Sequence, residues 1–74
     1  MSDTLTAEEI AGHYSAAMDS VNLINALMAQ DSRTTEEQDT VVRNVEHLQI
    51  MVAKTYWTTE DLAPFNNAIT AGQV

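Results

Sequence analysis

The chain has no cysteine, which excludes disulfides and thiolate metal sites as a source of rigidity. Basic residues are almost as scarce. Arg33, Arg43 and Lys54 stand against eleven acidic side chains, for a formal net charge of -8. Such a surface repels phosphate backbones and anionic headgroups, so neither direct nucleic-acid binding nor attachment to a membrane surface is expected. Long apolar runs are missing too. The longest uncharged apolar stretch, residues 20–30, contains Asn22 and Asn25 and falls well short of the ~20 apolar residues that span a bilayer. No Lys or Arg precedes Arg33, so the positive flank of a secretory signal is absent and export by a signal peptide is not expected. With only two glycines and one proline, the chain offers no glycine-rich phosphate loop and few breaks in helical structure.

What is present is helix signal, three times over. At 74 residues there is room for a single domain, 1–74, near the lower size limit for independent folding, so well-formed helices and association with other chains are the devices left to stabilise it. Thr6 with Glu9 forms a capping box and Leu5 with Ile10 a hydrophobic staple, which predicts a first helix over about 7–30. Ile10, Tyr14, Ala17, Val21, Ile24 and Met28 recur in alternating steps of four and three, one stripe on one face. Asp31, Ser32, Arg33, Thr34 and Thr35 interrupt it and suit a hairpin turn.

A second helix, predicted over about 36–56, is capped by Thr34 with Glu37 or by Thr35 with Gln38, and carries Val41, Val45, Leu48, Val52 and Tyr56 at the same spacing. The two stripes pair in an antiparallel hairpin. A short third helix, about 59–71, starts either at a Thr58 cap, with Trp57 stapled to Leu62, or at Asp61, which would place Pro64 in the first turn. Leu62, Phe65 and Ile69 form its apolar edge, and Gly72 suits its stop. The expected fold is all-α: an antiparallel helical hairpin with a short third C-terminal helix, a small three-helix bundle. The helical Met18, Met28 and Met51 read as core filling.

No arrangement points to catalysis. No nucleophile, base and orienting acid assemble in the pattern, so an enzyme is not expected and no cofactor is implied. His13 lies one turn from Glu9, and His47 adjoins Glu46, but inward carboxylates with Glu-x-x-His spacing are lacking, so both histidines read as exposed and no metal site is expected. The acidity has two readings. Glu8, Glu9, Glu36, Glu37, Asp39, Glu60 and Asp61 fall at or near helix starts, where negative charge opposes the helix dipole, and capping with solubility is the leading account. The other is nucleic-acid mimicry, with Glu36, Glu37 and Asp39 presented to a basic groove.

The apolar residues left over after hairpin formation are more informative. On the second helix Ile50 points away from the main stripe and would share a far-side seam with Ala53 and Trp57. Either the third helix covers that seam, or it meets another chain, with Trp57 as a typical anchor. On the first helix Gly12, Ala16 and Ser20 repeat every four residues and lead into Leu23 and Leu27. Small side chains there would let another helix approach closely, although an isolated helical glycine on a solvent-facing position is the simpler account of Gly12.

The C-terminal half carries a resemblance. Asn44, His47, Leu48 and Met51 in the pattern Asn-x-x-His-Leu-x-x-Met, then Lys54, Trp57, Glu60 and Asp61 in Lys-x-x-Trp-x-x-Glu-Asp, continuing from Leu62 to Asn67, Ala68 and Ile69, resemble small uncharacterised proteins of tailed bacteriophages. The likeness covers less than half of the chain and carries no assigned chemistry. It implies a phage setting, with the chain in the host cytoplasm or the virion. The expected function is a non-enzymatic helical interaction module that binds a protein partner or itself as a homo-oligomer, as a minor structural or accessory part of a phage particle. The alternative is an acidic inhibitor that binds a basic groove of a host defence or transcription protein.

Overall fold

Each helix begins where a threonine hydroxyl can accept the first free backbone N–H groups. In the computed structural model, which describes residues 5–73, α1 spans Ala7–Met28, α2 Thr35–Val52 and α3 Thr59–Gly72. Their N-caps are Thr6, Thr34 and Thr58, each in extended conformation and each closing a reciprocal box with the third helical residue, Glu9, Glu37 and Asp61. In the first box the Glu9 amide donates to Thr6 Oγ1 at 3.1 Å, and the Thr6 amide donates to Glu9 Oε1 at 3.0 Å. Six amides that would otherwise lack intrahelical partners are satisfied this way. Of the two starts open to α2, Thr34 with Glu37 is the one adopted.

Helix ends depart more from expectation. The first helix stops at Met28, where the side chain of Arg33 reaches back: its Nη1 donates to the Leu27 carbonyl at 3.3 Å while its Nε donates to Gln38 Oε1 at 2.9 Å. One guanidinium thereby places positive charge at the C-terminus of α1, where the helix dipole favours it, and ties that end to the first turns of α2. The second helix ends at Val52, not near residue 56. The reason is Trp57, whose indole Nε1 donates to the Met51 carbonyl at 2.7 Å. A continuing helix would carry Trp57 to the far side of α2. Turning the chain at 53–58 instead buries the ring and gives an end carbonyl a donor.

The third helix starts at Thr58, so Pro64 lies inside it. Proline there removes one backbone donor, and the carbonyl that loses its partner is that of Glu60, on an exposed residue where water can replace it. Gly72 is the last helical residue and does not act as a left-handed cap; Gln73 caps the helix in right-handed conformation.

Cross-helix contacts define the topology. Ser20 of α1 meets Asn44 and His47 of α2, Tyr14 packs on Phe65, and Gly72 sits against Val45, Val41 and Ile24. Helices α1 and α3 therefore run parallel, with α2 antiparallel to both, and all three touch each other. The core contains Ala17, Val21, Ile24, Leu27, Val41, Val45, Leu48, Met51, Trp57, Phe65, Ala68 and Ile69, with Ile10, Met18, Met28, Val52, Tyr56 and Leu62 packed at its margin. The molecule is a small three-helix bundle. No helix among the described residues is long and apolar enough to cross a membrane.

Candidate interaction surfaces

The seam expected from Ile50, Ala53 and Trp57 does not form. Trp57 is 8% exposed and Ile50 63%. Because α2 stops at Val52, Trp57 leaves the helical register that would have aligned it with Ile50, and it packs edge-on against Phe65, with ring centroids 5.1 Å apart and planes at 80°. Helix α3 thus takes Trp57 and leaves Ile50. Ala53, the C-cap of α2, is exposed.

The chain's four aromatic residues gather at one end of the bundle. Tyr56 and Trp57 lie 4.6 Å apart, Tyr14 lies 5.8 Å from Phe65 and 6.4 Å from Trp57, and His13 extends the group to Tyr56 at 6.3 Å. Offset and edge-to-face pairs of this kind add to the stability that area burial alone provides.

The face proposed on α1 also divides. Leu27 is buried at 8% and Leu23 is 40% exposed, while Gly12 and Ala16 are exposed and a Cβ on Gly12 would meet nothing within 4 Å. Among the described residues no other helix packs on Gly12. The close packing that a glycine permits occurs at Gly72, where a Cβ would overlap Val45 Cγ2 and press on Val41 Cγ1 at 3.3 Å. Gly72, the last residue of α3, is therefore a packing residue as well.

Ser20, grouped by spacing with Gly12 and Ala16, is buried at 5% and belongs to a polar network. The Asn44 amide donates from Nδ2 to the Thr40 carbonyl at 2.8 Å, which turns Oδ1 towards Ser20, whose hydroxyl donates to it at 2.8 Å. With its proton committed, Ser20 Oγ accepts from Nδ1–H of His47 at 3.0 Å, which selects the tautomer. His47 is accordingly half-buried, not the exposed histidine expected. The network satisfies buried polar groups at the α1–α2 contact; among the described residues no buried side-chain nitrogen or oxygen lacks a partner. Its sequence signal was the i, i+3 pair Asn44 and His47 opposite Ser20 in an antiparallel hairpin.

Helical spacing then places the exposed apolar residues relative to this network. Ala16 and Leu23 lie four before and three after Ser20 and border the α1–α2 contact, whereas Ile50, three after His47, points outward from α2, away from the core. Val42, 45% exposed, lies on the other side of α2, where Gln38, Val42, Val45, Glu46, Gln49, Gly72 and Gln73 line a shallow depression.

The acidic trio is partly committed within the chain. Glu37 closes the α2 capping box, and Asp39 pairs with Arg43 at 2.8 Å. Glu9 and Glu37 have their pKa values lowered from the usual glutamate range, in each case chiefly by the hydrogen bond accepted from the N-cap amide, of Thr6 and Thr34 respectively. Among the described residues no three His, Asp or Glu side chains converge as metal ligands would. Comparison with known protein families, curated proteins and solved structures finds nothing that matches this chain.

Proposed function

We propose that this chain is a non-enzymatic interaction module that works by presenting the outer face of its α1–α2 hairpin to another polypeptide, in the first instance a second copy of itself. The observation that carries the reading is Ile50, a large β-branched residue with 63% of its surface in water on a bundle that buries its other isoleucines fully or in part. Leu23 and Ala16 on α1 are further exposed apolar residues of the hairpin. A charge of -8 opposes association of like copies, and salt screens that repulsion. The resemblance of part of the C-terminal half to tailed-phage proteins is what supports a phage particle or its host as the setting of such contacts.

Sedimentation velocity over a concentration series tests this. Wild-type protein self-associates, more strongly as salt is raised, and Ile50→Asp remains monomeric with the same helix content. A well-folded wild-type monomer at high micromolar concentration in high salt contradicts the reading. The alternative of an acidic inhibitor has the opposite salt signature, since attraction to a basic groove weakens as salt rises.

A further inference from the structure

The N-terminal turns of α1 and α3 lie side by side at the aromatic end of the bundle. Between them runs an open groove of about 360 Å³, lined by Ala7, Ile10, Ala11, Tyr14, Trp57 and Asp61. Its floor is apolar and aromatic, and Tyr14 is 37% exposed along it. Its margin is acidic: Asp61 lines it directly, Glu60 precedes Asp61, and Glu8 lies one turn before Ala11 on the same flank of α1. Neither α1 nor α3 contains a Lys or Arg. The partial positive charges of two helix N-termini, roughly half a unit each, offset only a fraction of the four carboxylates in these first turns.

An apolar floor under a negative rim selects its occupant by charge as well as by shape. Anionic lipids and nucleic acids are repelled, whereas an apolar side chain with cations beside it is satisfied on both counts. We propose that this groove is a docking site for a basic segment of a partner protein, which inserts one apolar side chain against Tyr14 and Trp57 and sets flanking Lys or Arg residues against Glu8, Glu60 and Asp61. It is a second contact site on the module proposed above and stands or falls separately from the Ile50 face.

Trp57 is the chain's single tryptophan, so its emission reports on the groove. Three capped peptides serve as probes: Lys-Lys-Leu-Lys-Lys, the same peptide with Ser in place of Leu, and Glu-Glu-Leu-Glu-Glu. The Leu peptide shifts Trp57 emission saturably and binds about tenfold or more tighter than the Ser peptide, as burial of one leucine implies. The acidic peptide does not bind. Ala11→Lys, at an exposed helical position, weakens the Leu peptide about tenfold, the Glu8→Lys/Glu60→Lys pair weakens it comparably, and Ile50→Asp leaves it unchanged. Equal binding of the Leu and Ser peptides, or wild-type affinity in Ala11→Lys, overturns the proposal. So does a Trp57 response to protein concentration alone, which assigns the groove to a second copy, or binding that appears only after residues 1–4 are removed, which assigns it to the start of the chain itself.

Discussion

Two glycines in similar helices sit in opposite environments, and the same substitution distinguishes them. Gly12 faces open space with an ordinary helical backbone, so Gly12→Ala removes a helix-propensity penalty and stabilises the protein by about 1 kcal/mol. Gly72 meets the side chains of Val45, Val41 and Ile24, so Gly72→Ala overpacks the α2–α3 contact and costs about 1–3 kcal/mol. Thermal unfolding of the two variants moves the midpoint in opposite directions if this packing is right. Trp57 offers a second test at this scale. Trp57→Phe keeps a ring beside Phe65 but removes the donor to the Met51 carbonyl, which retains the Lys54 amide at 3.1 Å; a loss of about 1 kcal/mol follows. A neutral Trp57→Phe would mean that the indole bond does not hold the end of α2. None of this could be read from spacing alone. Whether a glycine is crowded depends on which helix crosses it, and periodicity within one helix does not contain that.

At the scale of elements, starts were legible to within two candidates and the end of α3 to within one residue, whereas the ends of α1 and α2 were not, for a physical reason. A helix start is written locally, as Thr6 with Glu9, Thr34 with Glu37, and Thr58 with Asp61, three residues apart. The ends of α1 and α2 are set by side chains five or six residues further along, Arg33 on the Leu27 carbonyl and Trp57 on the Met51 carbonyl. Neither lies within the periodic pattern it terminates. The two glutamate boxes, of Glu9 and Glu37, also carry a pH dependence. Glu9 and Glu37 have lowered folded-state pKa values, so their contribution is complete above the ordinary glutamate pKa of about 4.3 and is lost as pH falls through the folded values. Acid also relieves the chain's net negative charge, an opposing effect that a comparison of variants cancels. Glu9→Gln/Glu37→Gln keeps an acceptor for each cap amide without the charge. Its helicity should fall less between about pH 5 and pH 3 than that of the wild type, while Glu36→Gln, which closes no box, retains the wild-type profile. Identical circular dichroism titrations for all three would remove this account of the caps.

For the molecule as a whole, the stripes of α1 and α2 and the edge of α3 determine a bundle in which α1 and α3 run parallel and α2 opposes both. The antiparallel α1–α2 pair and the short third helix follow from the apolar periodicity and the short turns; the direction in which α3 packs is set by the Tyr14–Phe65 and Gly72–Ile24 contacts. The surface was only partly legible. Ile50 does point away from the core, as the wheel of α2 requires, and Leu23 is exposed; of the two covers open to the Ile50 and Trp57 seam, α3 takes Trp57 alone because α2 ends before it, and Leu27 is buried in the bundle. The third helix draws Trp57 inward against Phe65 and leaves Ala16, Leu23 and Ile50 exposed on the hairpin. The exposed face of the hairpin is the one proposed to meet another chain. Backbone amide chemical shifts recorded across a protein concentration series test it residue by residue. Shifts that grow with concentration at Ala16, Leu23, His47 and Ile50, strengthen with salt and vanish in Ile50→Asp are the predicted result. Shifts that do not move with concentration, or that move only along α3, would contradict it.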